Sequence, residues 1–258
     1  MQPSNSKEII ITQDTVKRLV KDVKDIMKNP LTSQGIFYQH DESDMLKGYA
    51  MIIGPSETPY EDGFYFFEFN FPSNYPYSPP VVIYSTNDGK TRFNPNLYVN
   101  GKVCVSVLNT WKGEGWTSCQ TISSILLTLC TLLCIDPILN EPGVNRHHKD
   151  FDSYNEIVEY KNLEVAICGM VLRLYFIPKF EMFYPILIDS FKEKYKKIVE
   201  KVEKKVFETS EKNVITSIYS MKVKIDYKRI LEMLNDCCGN LNLQIKKQIE
   251  IKEQAIKE

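Results

Sequence analysis

The segment of residues 71–80 constrains the fold most, because four of its ten residues are proline. Proline fixes φ and lacks a backbone N–H, so this segment can be neither the interior of a helix nor a central strand. It follows a run, residues 64–69, in which five of six side chains are aromatic. Aromatic side chains favour strands. The order predicts a buried strand, with one face of its sheet packed against a helix, that leads into a rigid surface loop.

Three further apolar runs surround this strand, and turn formers such as Gly54-Pro55 and Asp62-Gly63 separate them. Short runs bounded in this way are typical of sequential strands joined by tight connections. The pattern predicts an antiparallel four-stranded meander with strands at residues 36–39, 49–53, 64–71 and 81–84.

Helical periodicity appears on both sides of the strand region. Residues 15–28 predict an amphipathic N-terminal helix with a basic outer face, and the apolar residues 120–135 predict a buried central helix. Residues 154–174, 184–208 and 227–238 also predict helices, with the Lys-Glu run at 192–205 as a solvated face and a charged, frayed tail at 245–258. The fold class is therefore α+β, with a core at residues 8–175 and a helical C-terminal extension at 176–258.

Charge and cysteine content exclude several classes of function. Lysine plus arginine number 32 against 33 acidic residues, so no net basic charge predicts binding to nucleic acid or to acidic lipid. No apolar run approaches the ~20 residues of a membrane span, which indicates a soluble protein of the cytoplasm, with the nucleus as a second location. The seven irregularly spaced cysteines predict free thiols. Cys130 with Cys134, and Cys237 with Cys238, lack the geometry or nearby ligands for zinc, so neither a metal nor a cofactor is expected.

One cysteine stands in a specific context. Asn96, in the tripeptide Asn94-Pro95-Asn96, precedes Cys104 by eight positions, and Trp116 follows. This pattern resembles the ubiquitin-conjugating enzyme family, whose His-Pro-Asn signature has the same spacing to its catalytic cysteine. Other family features occur in order over about residues 12–175: the basic helix, Gly54-Pro55, the proline-rich loop, and the acidic loop Asn140-Glu141-Pro142. Six ordered features are far more specific than any one motif.

Details within this match are similar to the large class Z members of the family. Asn94 stands where the family has histidine, the segment of residues 108–116 is lengthened, and Asn140-Glu141-Pro142-Gly143 forms the acidic loop. The C-terminal region, with residues 154–156 and 165–168, is similar to that class's extension. The resemblance implies the ubiquitin-conjugating fold.

The resemblance also implies roles for individual residues. Cys104 is the expected nucleophile that carries ubiquitin or a ubiquitin-like modifier as a thioester, and thiolate is nucleophilic enough to need no dedicated base. Asn96 is expected either to stabilise the oxyanion or to hold the local loop, and an oxyanion donor typically contributes ~100- to 1,000-fold in rate. Glu141 occupies the place of the carboxylate that gates the incoming lysine, and Asn94 is expected to keep a structural hydrogen bond.

Partners follow from the same resemblance. They are the modifier, an activating enzyme from an ATP-dependent pathway, and a ligase of the RING or HECT type, with the chain acting as a monomer. Residues expected to bind the activating enzyme are Lys17, Arg18 and Lys21; those expected to meet a ligase or the activating enzyme are Pro76, Tyr77, Ser118 and Cys119.

Two other functions are compatible with parts of the sequence. A catalytically inactive scaffold of the same fold would serve as a binding module, although such variants resemble the family without its cysteine. A cysteine hydrolase would pair Cys104 with a histidine. The three histidines, His40, His147 and His148, are better interpreted as surface residues. The choice of modifier stays open.

Overall fold

The computed structural model describes residues 11–255, with side chains as far as Leu241. Its first helix, α1, spans Gln13–Lys28, and the Thr12 hydroxyl caps it by accepting the Thr15 N–H at 3.1 Å. Side chains such as Leu19 and Ile26 form its buried face, which explains the predicted amphipathic pattern. This helix packs against the central helix α2, Ile122–Leu132. The prediction of α1 is confirmed, with its start two residues earlier.

The predicted meander is confirmed as one antiparallel sheet with strand order β1-β2-β3-β4. The register pairs Ala50 of β2 with Phe67 of β3, and Phe67 in turn with Tyr84 of β4. The strands are β1 Ile36–His40, β2 Lys47–Ile53, β3 Phe64–Asn70 and β4 Val81–Tyr84.

Helix α2 is shorter than predicted at both ends. Thr121 is extended, and its hydroxyl and the Ser124 hydroxyl each accept the other residue's backbone N–H in a capping box. A capping box fixes the first helical residue, which here is Ile122. The apolar pattern continues beyond the helix because Leu133 and Ile138 are also buried in the core.

The sequence predicts one face of the sheet packed against a helix, and in the structure strand β3 is buried on both faces. Tyr65 and Phe67 lie in the core on one face, and both are inaccessible to solvent. On the opposite face, the Phe66 ring lies 5.6 Å from Phe176 and 4.9 Å from Phe180, measured between ring centroids. The C-terminal extension therefore covers the second face, which explains why nearly every position of β3 is aromatic.

After the acidic loop, α3, Phe151–Lys161, continues as a π-helical segment, Asn162–Gly169, where one longer helix was predicted. A buried amide lies at this junction. Asn162 Oδ1 accepts the Tyr65 hydroxyl at 2.6 Å, and its Nδ2 donates to the Glu61 carbonyl at 2.8 Å. The π-helical segment is thereby joined to the sheet.

The extension contains a β-hairpin that the sequence analysis does not predict. The elements run 3₁₀ helix Pro178–Phe183, α4 Tyr184–Glu208, β5 Lys212–Ile215, β6 Lys222–Ile225 and α5 Tyr227–Ala255. The bounds of α4 match the prediction, whereas α5 continues beyond residue 238 through most of the predicted tail; residues 256–258 lie outside the described part. Within the described residues, no helix is long and apolar enough to cross a membrane. The boundary at residue 175 stays a prediction.

One stripe of lysines on α4 faces the core, where the Lys-Glu run was predicted to be the solvated face of a helix. Lys197 lies 2.7 Å from a Glu61 oxygen, and Lys205 lies 2.7 Å from a Glu159 oxygen. Lys201 lies between them, 3.1 Å from Glu159 and 3.5 Å from Glu61. Lys201 bridges Glu61 and Glu159, so these partly buried pairs form a connected network between α4 and the core. The extension is docked on the core.

Candidate active site

Cys104 and Asn96, the pair selected by their spacing, are joined by two hydrogen bonds. The Cys104 N–H donates to the Asn96 carbonyl at 2.9 Å, and the Asn96 side-chain Nδ2 donates to the Cys104 carbonyl at 2.5 Å. An isolated antiparallel bridge between Leu97 and Val103 aligns the two segments. Their eight-residue separation therefore closes a loop that places the amide directly beside the cysteine backbone.

The Cys104 thiol donates to the Thr110 carbonyl at 3.3 Å, and the residue is only 2% exposed. Thr110 is itself held in place, because its hydroxyl accepts the Val105 N–H at 2.9 Å and donates to the Val105 carbonyl at 3.0 Å. Trp111, the next residue, is 44% exposed. The lengthened segment after the cysteine thus forms one wall of the site.

Asn94, which replaces the family's histidine, is completely buried and makes the expected structural hydrogen bonds. Its Nδ2 donates to the Leu132 carbonyl at 2.7 Å and to the Tyr60 hydroxyl at 3.0 Å. Its Oδ1 accepts the Asn96 N–H at 2.9 Å and the Asn140 Nδ2 at 3.4 Å. These hydrogen bonds offset the cost of removing the Asn94 amide from water. Asn94 therefore links the segment before Cys104 to the loop that contains Glu141.

Glu141 follows Asn140 directly and is half-exposed. Its N–H donates to the Ile138 carbonyl at 3.0 Å, and its carbonyl accepts the Val144 N–H at 3.2 Å. Its Oε2 accepts a hydrogen bond from the Tyr219 hydroxyl, which comes from the loop between β5 and β6. Sequence reasoning missed Tyr219, since the two residues lie 78 positions apart and no local pattern relates them.

Arg92 is a second site residue that sequence reasoning missed. Its Nε donates to the Asn94 carbonyl at 3.1 Å, and its Nη2 donates to the Pro95 carbonyl at 2.7 Å. The guanidinium lies 3.3 Å from the ring centroid of Tyr98 and 4.8 Å from that of Tyr219. Arginine between two aromatic faces is a favourable cation–π arrangement. Arg92 therefore clamps the backbone of the tripeptide before Cys104.

The basic face of α1 divides into two kinds of residue. Lys17 and Lys21 are exposed, as a docking surface requires. Arg18 is half-buried: its Nε lies 2.9 Å from an Asp22 oxygen, its Nη1 donates to the Ser118 carbonyl, and its guanidinium carbon lies 5.6 Å from the Tyr75 ring centroid. Arg18 thus holds α1 against the loop before α2, whereas docking by all three residues stays a prediction.

The residues predicted to meet ligases lie on two loops that the structure joins. The Trp116 indole N–H donates to the Pro76 carbonyl at 2.7 Å, so Pro76 is a buried structural residue. Tyr77 is 68% exposed, and Ser118 and Cys119 are also exposed. The exposed members of the set are available for a partner, and their role stays a prediction.

Other thiols and the histidines lie in different surroundings. Burial raises the pKa of the Cys130 and Cys134 thiols, which disfavours the reactive thiolate. The ring nitrogens of His40 lie 2.8 Å from the Tyr38 hydroxyl and 2.9 Å from the Met45 carbonyl oxygen. Among the described side chains, no histidine is hydrogen-bonded to Cys104, so the pairing that a hydrolase would use is not found in this part of the chain.

Known proteins match most of this chain in sequence. Residues 18–164 match the family model described as ubiquitin-conjugating enzyme. A Danio rerio protein named "Ubiquitin-conjugating enzyme E2 Z" is 37% identical over 226 residues, covering 86% of this chain and 67% of its own length. The proteins of the same name from Xenopus tropicalis and Homo sapiens are both 43% identical over 60% of this chain, which covers 50% and 44% of their lengths respectively. The present chain thus spans between about half and two thirds of these relatives. It belongs to the ubiquitin-conjugating enzyme family of transferases and is similar to its class Z members.

Proposed function

We propose that this chain is an active ubiquitin-conjugating enzyme. It accepts ubiquitin or a ubiquitin-like modifier from an activating enzyme onto Cys104 as a thioester, and passes it to a substrate lysine or to a ligase. The observation that carries the proposal is the reciprocal hydrogen-bonded pair of Cys104 and Asn96. Both residues were selected from their spacing together with the other ordered family features, and they are hydrogen-bonded to each other in the fold.

Loading is an exchange of one thioester for another. The Cys104 thiolate attacks the thioester carbonyl carbon of the activated modifier, a new S–C bond forms, and the S–C bond to the activating enzyme breaks. The departing thiolate takes up the proton that Cys104 has lost. The exchange is nearly isoenergetic, and the thiolate's intrinsic nucleophilicity removes the need for an adjacent base.

Transfer breaks the new bond. A lysine amine attacks the thioester carbon, the N–C bond forms, the S–C bond breaks, and Cys104 is released as a thiolate. A lysine with the ordinary pKa of about 10.4 is almost entirely protonated at neutral pH, so the amine must be deprotonated and oriented. Glu141 is the proposed acceptor and orienting group.

Asn96 has two N–H donors on its amide, and the bond to the Cys104 carbonyl uses one of them. This resting contact supports a loop-stabilising role. The second N–H remains available to donate to an oxyanion, so the oxyanion role is compatible with the same position. Loss of charging in an Asn96 variant would indicate the first role, whereas normal charging with slow transfer would indicate the second.

The proposed activity is tested by incubating the full chain with ubiquitin, ATP and, in separate reactions, activating enzymes of each class. We expect a product heavier by one modifier that reducing agent removes. The product should be absent in Cys104→Ala and retained in the matched control Cys130→Ala. If no activating enzyme gives the product, the proposal is wrong and the inactive scaffold becomes the better interpretation.

A further inference from the structure

The loop between β5 and β6, residues 216–221, is anchored to the core by one carboxylate. Asp150 is buried, and its Oδ2 accepts the Ser217 N–H at 2.9 Å, the Ser217 hydroxyl at 2.6 Å and the Ile218 N–H at 2.8 Å. Bonds to an ionised acceptor are stronger than neutral ones. We call residues 212–225 the gate hairpin; this anchor fixes its tip beside the acidic loop.

The next residue at the tip, Tyr219, has a left-handed backbone with φ of 58°, and Ser220 follows with φ of 51°. Residues other than glycine rarely adopt this conformation, and it persists where the surroundings hold it. Here it directs the tyrosine ring towards the core. The ring centroid lies 6.1 Å from that of Tyr154, and the hydroxyl reaches the Glu141 carboxylate.

From these contacts we propose that Tyr219 is a positioning residue for the Glu141 carboxylate in transfer to lysine. The inference rests on the proposed function and extends it to the C-terminal extension, which thereby completes the active site. Glu141 is half-exposed and lies on a short loop, so without a partner its side chain would sample several rotamers. One hydrogen bond to Oε2 restricts that freedom.

The hydrogen bond from Tyr219 orients the Glu141 carboxylate and leaves lone pairs free to accept other donors. A carboxylate has about four lone-pair sites, so a single donated bond leaves acceptor capacity for an amine. Burial, followed by the hydrogen bond to Glu141 and the Glu141 charge, raises the pKa of Tyr219 well above its ordinary value. The hydroxyl therefore keeps its proton at neutral pH and acts as the donor.

Tyr219 also contacts the other side of the site through Arg92, which clamps the tripeptide before Cys104. Tyr219→Phe keeps the ring and this contact and deletes only the hydroxyl. Tyr160→Phe is the matched control, because the Tyr160 hydroxyl, on α3 of the core, donates to the Asp226 carbonyl of the extension at 3.4 Å. The pair separates loss of the Glu141 bond from general loosening of the extension.

The test uses the full chain, charged on Cys104 and then discharged to free lysine in single turnover. We expect Tyr219→Phe to charge normally and to discharge about tenfold more slowly at saturating lysine, since it loses a bond to a charged group. Tyr160→Phe should match the unmodified chain. In a Glu141→Ala background, Tyr219→Phe should cause no further loss, because its effect passes through that carboxylate. An undiminished tenfold effect in that background, or normal discharge by Tyr219→Phe, overturns the inference.

Hydrogen exchange at the Val144 amide, which bonds to the Glu141 carbonyl, provides a measurement that needs no thioester. Tyr219→Phe should exchange faster there than Tyr160→Phe, and equal exchange in the two variants overturns the inference. Failure of every variant to form a thioester would instead overturn the proposed function, with exchange still deciding the role of Tyr219. Ser217→Ala, which removes one anchoring bond, is the second variant if Tyr219→Phe does not fold.

Discussion

Replacement of Phe180 by alanine should weaken the packing of the extension on the sheet and lower the free energy of unfolding. Phe180 is 1% exposed, and its ring centroid lies 4.9 Å from that of Phe66 and 5.8 Å from that of Tyr49. Deleting a fully buried phenylalanine costs about 3–5 kcal/mol, because apolar surface and packing contacts are lost together. Each aromatic pair contributes about 0.5–1.5 kcal/mol of that sum. With two ring partners and almost no exposure, we expect a loss of about 4 kcal/mol.

Urea unfolding, followed by circular dichroism at fixed pH, measures this loss as a lower midpoint. The matched control is Phe207→Ala, since Phe207 lies on α4 of the same extension but is 91% exposed. The control should change the free energy of unfolding by less than about 0.5 kcal/mol. A loss below about 1 kcal/mol in Phe180→Ala would refute the conclusion that the outer face of the sheet depends on the extension.

Two further substitutions test individual contacts. Asp150→Ala removes the acceptor of three hydrogen bonds from Ser217 and Ile218 and should cost about 2–4 kcal/mol in urea unfolding at pH 7. Burial raises the pKa of Asp150, but the hydrogen bonds from Ser217 and Ile218 outweigh burial and lower the pKa below its ordinary value of 3.8. The stabilisation is therefore complete above pH 3.8 and is lost as the pH falls through the lower pKa of the folded state. An unchanged difference in unfolding free energy between wild type and variant at about pH 2 would contradict this. Gly63→Ala would place a Cβ atom 1.9 Å from Asn162 Oδ1 and displace that buried amide. We expect the free energy of unfolding to fall by about 2–4 kcal/mol, and a thermal midpoint equal to that of wild type would contradict this.

The parts of the fold that sequence predicted well are those with a strong, local pattern. Helix α4 matches at both ends because its apolar stripe repeats over 25 residues, and β4 matches because proline and polar residues bound it. The gate hairpin was missed because each strand has only four residues, too few for periodicity to outweigh the helices around it. Its signal was the alternation of Val223 and Ile225 with lysines in β6.

The two-sided burial of β3 was not predictable by the same reasoning. Exposed aromatic side chains are common on protein surfaces, so aromatic residues on both faces of a strand do not show that both faces are covered. The residues that cover the second face, Phe176 and Phe180, lie more than a hundred positions later in the chain. Long-range packing of this kind leaves no local periodicity.

In the candidate site, the residues joined by a short loop were found and those joined through tertiary contacts were not. Asn96 and Cys104 are eight positions apart, so their spacing carries the information. Arg92 was missed although it lies two residues before Asn94, because its hydrogen bonds to the Asn94 and Pro95 carbonyls follow no recognised motif. Tyr219 reaches the site only through the fold, so no local pattern identifies it. The internal use of Arg18 was missed for the same reason, because its carbonyl partners lie about a hundred residues later.

The covered outer face of the sheet also has a consequence for synthesis. A chain made from its N-terminus completes β3 long before residues 176–191 leave the ribosome, and at roughly 5–20 residues per second that interval lasts several seconds. During it Phe66 and Tyr49 have no partner for their outer surfaces, and an exposed aromatic sheet face is prone to self-association. The nascent core therefore exposes this aromatic face until its own C-terminal residues arrive. We expect the yield in expression to respond to chaperone supply more strongly for a chain ending near residue 175 than for the full chain.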